Sequence, residues 1–369
     1  MLLIRKMMKK YILMTLMISA IFISGCSKAP VETPVETPVE TAIETPVETI
    51  VETPVETPVE TPQEIVNVAR YENVPEGLSP LTGLPYEGTG KVIMLQMENT
   101  KAARPHSGLS LADLIYEIEV ESRITRLTTF FLSEYPVKAG PVRSARRQHM
   151  YLWSEWNYLY GFYGGSTVRP GQNIYDLIDE LKIEASYLDG MKVSKPYSRS
   201  KDREAPHNAY ANLQYAMEKL YNFEPVNRSI YFDENVIVEG TPANKVSLSY
   251  NDGNQITYTY DETSKLYKRY INGDPMMDKE NDRQIEVTNI IVQHANHYPI
   301  KGTVYTNIDL VGQGVAEYFV NGIQRIGTWE RKDVDAMTRY YDASGEEIAF
   351  KPGKSFIQIV RNDTVVKAE

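Results

Sequence analysis

The chain has a single cysteine, Cys26, in 369 residues. One thiol closes no internal disulfide, so nothing of that kind staples the fold. Long apolar runs are also missing. Tyr11–Gly25 is apolar over fifteen residues, short of the about 20 that a membrane-spanning helix needs. Positive charge is in deficit, with 39 Lys and Arg against 49 Asp and Glu and a net charge of −10. Nucleic acid is therefore not an expected general partner, since that requires a basic face. Metal-ligand spacing is weak too. His294 and His297 in "HANH" are three apart, which on a strand sends them to opposite faces, and no third ligand is near. They read as loop histidines, and neither a metal nor a cofactor is expected.

The N-terminal residues read as an address. Arg5, Lys6, Lys9 and Lys10 precede the apolar run, which ends in "ISGC" at Cys26. This has the layout of a secretory signal over residues 1–25 and resembles a bacterial lipobox. The resemblance implies a diacylated Cys26 as the mature N-terminus. Two acyl chains hold a protein on a bilayer firmly. The expected location is the outer face of the bacterial cytoplasmic membrane, lipid-anchored and extracellular.

Residues 26–63 contain eight tetrads of the type Val-Glu-Thr-Pro, from Val31 to Pro62. Recurrent proline forbids helix, and repeated glutamate cannot build a core. As an extended chain at ~3.1 Å per residue the repeat would reach roughly 100 Å. A stalk and a passive low-complexity tail are the two readings. The basic leader carries four positive charges and the repeat eight negative, leaving −6 for the rest.

The remaining residues suffice for two domains. Residues 64–232 mix apolar strand-like runs (Lys91–Asn99, Ile115–Glu121, Leu127–Ser133, Tyr158–Ser166) with helical spacing at Leu109–Leu114, Ser144–Leu159, Asn173–Leu181 and Asn208–Tyr221. An α/β domain is expected there, with Ser110, Ser144 and Asn208 as helix caps. Residues 233–369 are short Val-, Ile-, Tyr- and Thr-rich runs broken by "NDG", "NG" and "PG". These predict an all-β antiparallel domain. The fold class is thus α+β, an α/β domain followed by antiparallel β.

Four polar clusters in the first half carry the candidate chemistry. One holds Glu98, Asn99, Arg104, His106 and Ser107, and a second Glu117, Glu119, Glu121, Arg123 and Arg126. A third is Arg143, Arg146 and Arg147 after the Gly140-Pro141 break. The last joins Gly164, Gly165 and Ser166 with Arg203, His207 and Asn208. A helix N-terminus presents free N–H groups and partial positive charge, so arginines placed there make sense if an anion joins them. That anion is either an external ligand or the chain's own Glu117, Glu119 or Glu121; a solvated face is the third reading. His207 reads as an acid/base candidate or as a structural histidine, and His106 likewise. The two glycines let a ligand approach the backbone or simply make a bend. Ser166 lacks the context of a nucleophile elbow.

The order of "SPLTGLP" (Ser79–Pro85), "ARPHSGLSLADLIYE" (Ala103–Glu117), "VESRITR" (Val120–Arg126), "GPVRSAR" (Gly140–Arg146), "GGS" and "APHN" (Ala205–Asn208), then "NIIVQ" (Asn289–Gln293) and "DASGEEIAFKPGKSFIQIV" (Asp342–Val360), resembles the YerB-like two-domain lipoproteins, DUF3048. The resemblance implies surface anchoring and two domains. It implies no reaction.

Three functions stay open. The first is a membrane-anchored binding protein for an anionic small molecule or cell-envelope polymer bearing phosphate or carboxylate. Its ligand would sit in an Arg/His/Glu cleft of Glu98, Asn99, Arg104, His106, Arg126, Arg143, Arg146, Gly164, Gly165, Ser166 and Asn208. The second is a metal-independent hydrolase or transferase on such a polymer, with His207 and one of Glu98, Glu119 or Glu121 catalytic. The third is a protein-interaction scaffold.

Overall fold

The computed structural model describes residues 68–236 and 239–369. The expected leader, Cys26 and the repeat lie outside these residues. Glu64–Glu369 forms one compact unit.

The first strand, β1 (Ile93–Glu98), is buried along its whole length. It pairs antiparallel with β3 (Ile124–Phe131), in a register from Ile93↔Phe131 to Glu98↔Arg126, and parallel with β4 (Leu159–Phe162). β2 (Leu114–Glu121) turns into β3 through Ser122 and Arg123, at φ 48° and 64°. Two left-handed residues are what a tight hairpin turn matching strand twist demands.

Among the described residues, one sheet of eleven strands spans both halves of the chain. Its order runs Arg339–Asp342, Ile323–Arg331, Gly312–Val320, Asn289–Ala295, Ser355–Arg361, β2, β3, β1, β4 and β5 (Tyr187–Asp189), with Thr241–Pro242 pairing off this path. The join is the Ser355–Arg361 strand. It lies parallel to Asn289–Ala295 on one side and to β2 on the other, with Leu114 and Asn289 both opposite Ser355. The expected boundary at 232/233 therefore falls between segments that feed one sheet.

A second, six-stranded sheet is built around Lys245–Asn251, Asn254–Asp261 and Leu266–Ile271. These three strands alternate buried and exposed side chains, as strands with one wet face do. Their apolar face, with Val246, Leu248, Ile256 and Tyr258, shares a core with Ile93, Leu95, Ile115, Phe131 and Phe356 of the large sheet. The opposite face of the large sheet, with Met94, Leu114, Tyr116 and Phe130, packs with Trp153 and Trp156 of helix α1 (Arg147–Trp156). The central strands are covered on both sides. That is why "IYEIEVE" is buried as far as Val120 rather than half wet, with Glu121 partly exposed at its end.

The protein is sheet-rich with few helices. Helices α1, α2 (Ile174–Glu180) and α3 (Leu213–Lys219) are short, and several expected boundaries shift. Leu109–Leu111 is a single 3-10 turn, and Ser110 lies within it rather than capping it. The N-cap position of α1 is Arg146, not Ser144, and the Arg146 N–H donates to His149 Nδ1 at 3.0 Å. The Asn208–Tyr221 helix is divided: β7 (Ala209–Ala211) comes first, pairing with β6 (Tyr197–Arg199), and Asn212 caps α3. Asn208 is no cap; the three β-strand residues that follow it are claimed by pairing with β6.

Candidate functional site

Glu98 ends β1, and its carboxylate is almost fully buried. Two side chains from distant segments reach it. His207 Nδ1 lies 2.9 Å from Oε2 and Arg143 Nε 3.4 Å from the same oxygen. Thr100 Oγ1 donates to Oε1 at 3.0 Å. The segment carrying Arg143 is threaded between β1 and β7: Arg143 N–H donates to the Gln96 carbonyl at 2.9 Å, and Val142 N–H to the Ala209 carbonyl at 2.7 Å. Gly140 permits that passage. A Cβ there would lie 2.9 Å from the Ala209 carbonyl, and its φ is +147°.

The exposed groups at this point matter most. Arg143 Nε is buried and makes no hydrogen bond. The two terminal nitrogens of Arg143 have no hydrogen-bond partner among the described residues and are not enclosed. His207 is 29% exposed, and its Nε2 is likewise open. A buried carboxylate thus orients an open imidazole and an under-used guanidinium.

A second carboxylate organises the neighbouring arginines. Arg146 Nε donates to Glu121 Oε1 at 2.7 Å, and its Nη2 contacts the same oxygen. Arg126 Nη2 lies 3.5 Å from Glu121 Oε2, while its Nη1 donates to the Ser144 carbonyl at 2.5 Å. Burial, then the neighbouring charges of Arg146 and Arg143, push Arg126 down to about 9 against the pull of Glu121 and Glu98. It is still charged at neutral pH. The anion answering the arginines at the start of α1 is therefore the chain's own Glu121.

The three glutamates of β2 part company. Glu117 forms a fully buried pair with Arg269 at 2.6 Å and accepts from Asn99, Thr125 and Asn254 at 2.7–2.8 Å. Tyr258, Glu117 and Tyr250 hold Arg269 above its usual pKa despite the opposing effect of burial. Glu119 is gripped by Arg361 at 2.6 and 2.9 Å and by Thr306. Arg104 is spent on Asn99, Gly253 and Asn254. His106 is fully buried, with Nε2 2.6 Å from the Glu98 carbonyl. Burial pushes it down to about 4, so it is neutral and supports the backbone of Glu98.

The Gly-Gly turn serves packing. Gly164 N–H donates to Asp189 at 2.8 Å, and a Cβ on Gly165 would lie 2.1 Å from Ile174 of α2. Ser166 is buried, and its carbonyl accepts from Ile174. Asn208 Oδ1 accepts from Arg199 at 2.7 Å, while its Nδ2 donates to Ser200. Of the expected residues, the structure brings together Glu98, Arg143 and His207, with Arg126, Arg146 and Glu121 beside them. Glu117, Glu119, Asn99 and Arg104 belong instead to internal networks. Arg269 and Arg361 were invisible as partners in the sequence, because each looks like an ordinary strand residue. His294 contacts Glu317 at 3.0 Å and His297 the Ala295 carbonyl at 2.9 Å.

This architecture defines a sheet-rich body whose two sequence halves share one sheet and whose polar interior is built of carboxylate–guanidinium pairs. Two family profiles match in order: Protein of unknown function (DUF3048) N-terminal domain over residues 81–224, and its C-terminal domain over 246–357. The chain belongs to this family. It is 28% identical over 298 residues to "Putative lipoprotein YerB" of Bacillus subtilis (strain 168), across 76% of this chain and 86% of that protein. It also resembles the crystal structure of YerB protein from Bacillus subtilis, with TM-score 0.68 and 27% identity, across 79% of this chain and 99% of that one.

Proposed function

We propose that this is a lipid-anchored surface lipoprotein that holds an anionic ligand, a phosphate- or carboxylate-bearing piece of cell-envelope polymer, over Glu98, Arg143 and His207. The lipid anchor rests on Cys26 at the end of its signal-like leader and on similarity to a protein named a putative lipoprotein. The ligand reading rests on one observation: Arg143 presents terminal donors that no group among the described residues takes up, beside an open His207 Nε2. Charge-assisted bonds from a guanidinium to an anion are among the stronger polar contacts.

The test is thermal stabilisation of Glu64–Glu369 by inorganic phosphate and by acetate. Ligand at 100 times its Kd adds about 2.7 kcal/mol. The expected result is a rise in Tm with at least one anion, lost in an Arg143→Gln variant that still melts cooperatively. No rise with either anion overturns the reading.

A second reading is favoured by the 2.9 Å contact between His207 Nδ1 and Glu98. A carboxylate that holds Nδ1–H leaves Nε2 to accept a proton, the arrangement of a general base. Hydrolysis of wall-polymer fragments that ceases in His207→Ala but survives Arg146→Gln would favour an enzyme.

A further inference from the structure

Resting on the anion-site reading above, we propose that Arg199 is a third ligand-binding cation and that the site takes a phosphate monoester rather than a carboxylate or a phosphodiester. Arg199 drew no notice in the sequence, but the contacts around Arg143 converge on it. Tyr163 N–H donates to the Arg143 carbonyl at 3.0 Å. The Arg199 guanidinium lies 4.8 Å from the Tyr163 ring centroid, and its Nη1 donates to Asn208 at 2.7 Å. Asn208 follows His207, and β6 sets Arg199 opposite Ala209, whose carbonyl takes the N–H of Val142. Arg199 thus bridges the two segments, at Tyr163 and at Asn208, that flank the backbone of Arg143. Only Nη1 is used; its remaining N–H groups have no partner among the described residues, and it is exposed.

Charge decides the ligand class. Arg199 contacts an amide and an aromatic face, and no carboxylate among the described residues pairs with it. Arg126, Arg143 and Arg146 pair with Glu98 and Glu121, which leaves one positive charge over, and Arg199 adds a second. Farther along the loop, exposed Lys201 and Glu204 carry opposite charges, Arg203 donates to the carbonyls of Ala102, Ala103 and Pro105, and Asp202 turns to Lys279 at 3.8 Å. A phosphate monoester carries close to two negative charges at neutral pH and three terminal acceptor oxygens. That number of acceptors suits the free donors of Arg143 and Arg199. A carboxylate or a diester brings one charge.

The experiment is isothermal titration of Glu64–Glu369 at pH 7.5 with glycerol 3-phosphate, dimethyl phosphate and acetate. The inference expects the monoester to bind at least about tenfold more tightly than the other two. Arg199→Gln should weaken the monoester by about tenfold or more, the size of one charge-assisted hydrogen bond. Arg199→Lys, which keeps the charge, should recover part of the loss. Equal binding of all three anions, or a well-folded Arg199→Gln that binds as the parent does, overturns the inference and leaves the anion site standing. Failure of all three anions to bind overturns both.

Discussion

His106 and His207 sit close together in space and have opposite fates. His207 is open and held by a carboxylate, whereas His106 is sealed against the Glu98 carbonyl. Burial places the folded His106 near 4, against an ordinary value of about 6.5. Between those values the unfolded chain binds the proton and the folded chain does not. Stability is therefore whole above about pH 6.5 and declines as pH falls towards 4. The loss from this one residue is on the order of 3 kcal/mol. His149 is fully buried and shifts the same way, through burial and then Arg126 and Arg146. Urea denaturation at pH 7.5 and pH 4.5 should show the drop. His106→Gln, whose amide can still donate to the Glu98 carbonyl, should make the acid limb shallower by a comparable amount. An unchanged slope would mean that His106 already protonates in the native state.

At the level of elements, short-range signals placed the strands well and the helix starts poorly. β1 and the β2–β3 hairpin fall where apolar runs and turn spacing put them. The start of α3 does not, because "NAYANLQ" contains two asparagines, each competent to cap. Asn212 wins, accepting the Tyr215 N–H at 2.8 Å, since residues 209–211 are held in the β6 pairing. Asn212→Ala should cost about 1 kcal/mol of stability, read as a shift in the urea midpoint with unchanged m-value. The α1 start was misjudged for a related reason. Ser144 has cap chemistry, but its carbonyl is held by Arg126 and the helix begins three residues later.

For the molecule as a whole, the strand Ser355–Arg361 matters most. It is the last strand of the large sheet in chain order, yet lies between the strands of the two halves. The Arg361–Glu119 pair crosses this join, and the buried Glu117–Arg269 pair ties β2 to the second sheet. Without the second half, Glu117 and Glu119 would be left as unpaired charges, at a cost of about 3–5 kcal/mol for a buried pair broken on one side. Residues 64–232 produced alone should therefore lack a cooperative thermal transition, while Glu64–Glu369 shows one. Circular dichroism melts of the two pieces check this. A cooperative melt of 64–232 would restore the boundary at 232/233 as a folding boundary.

The sequence alone was enough for whatever depends on near neighbours. The alternating strands of the second half and their glycine turns are set by local sterics and periodicity. The ordered family motifs could be read there too. Partner choice was not legible in that way. Nothing near Glu117 names Arg269, 152 residues away, and nothing near Arg143 points to Arg199 across the β6–β7 hairpin. Each carboxylate of the first half had several arginines to choose from. Burial geometry selected among them, because a charge taken out of water must meet an opposite charge at hydrogen-bonding distance. That requirement is met only once the last strand has closed the sheet.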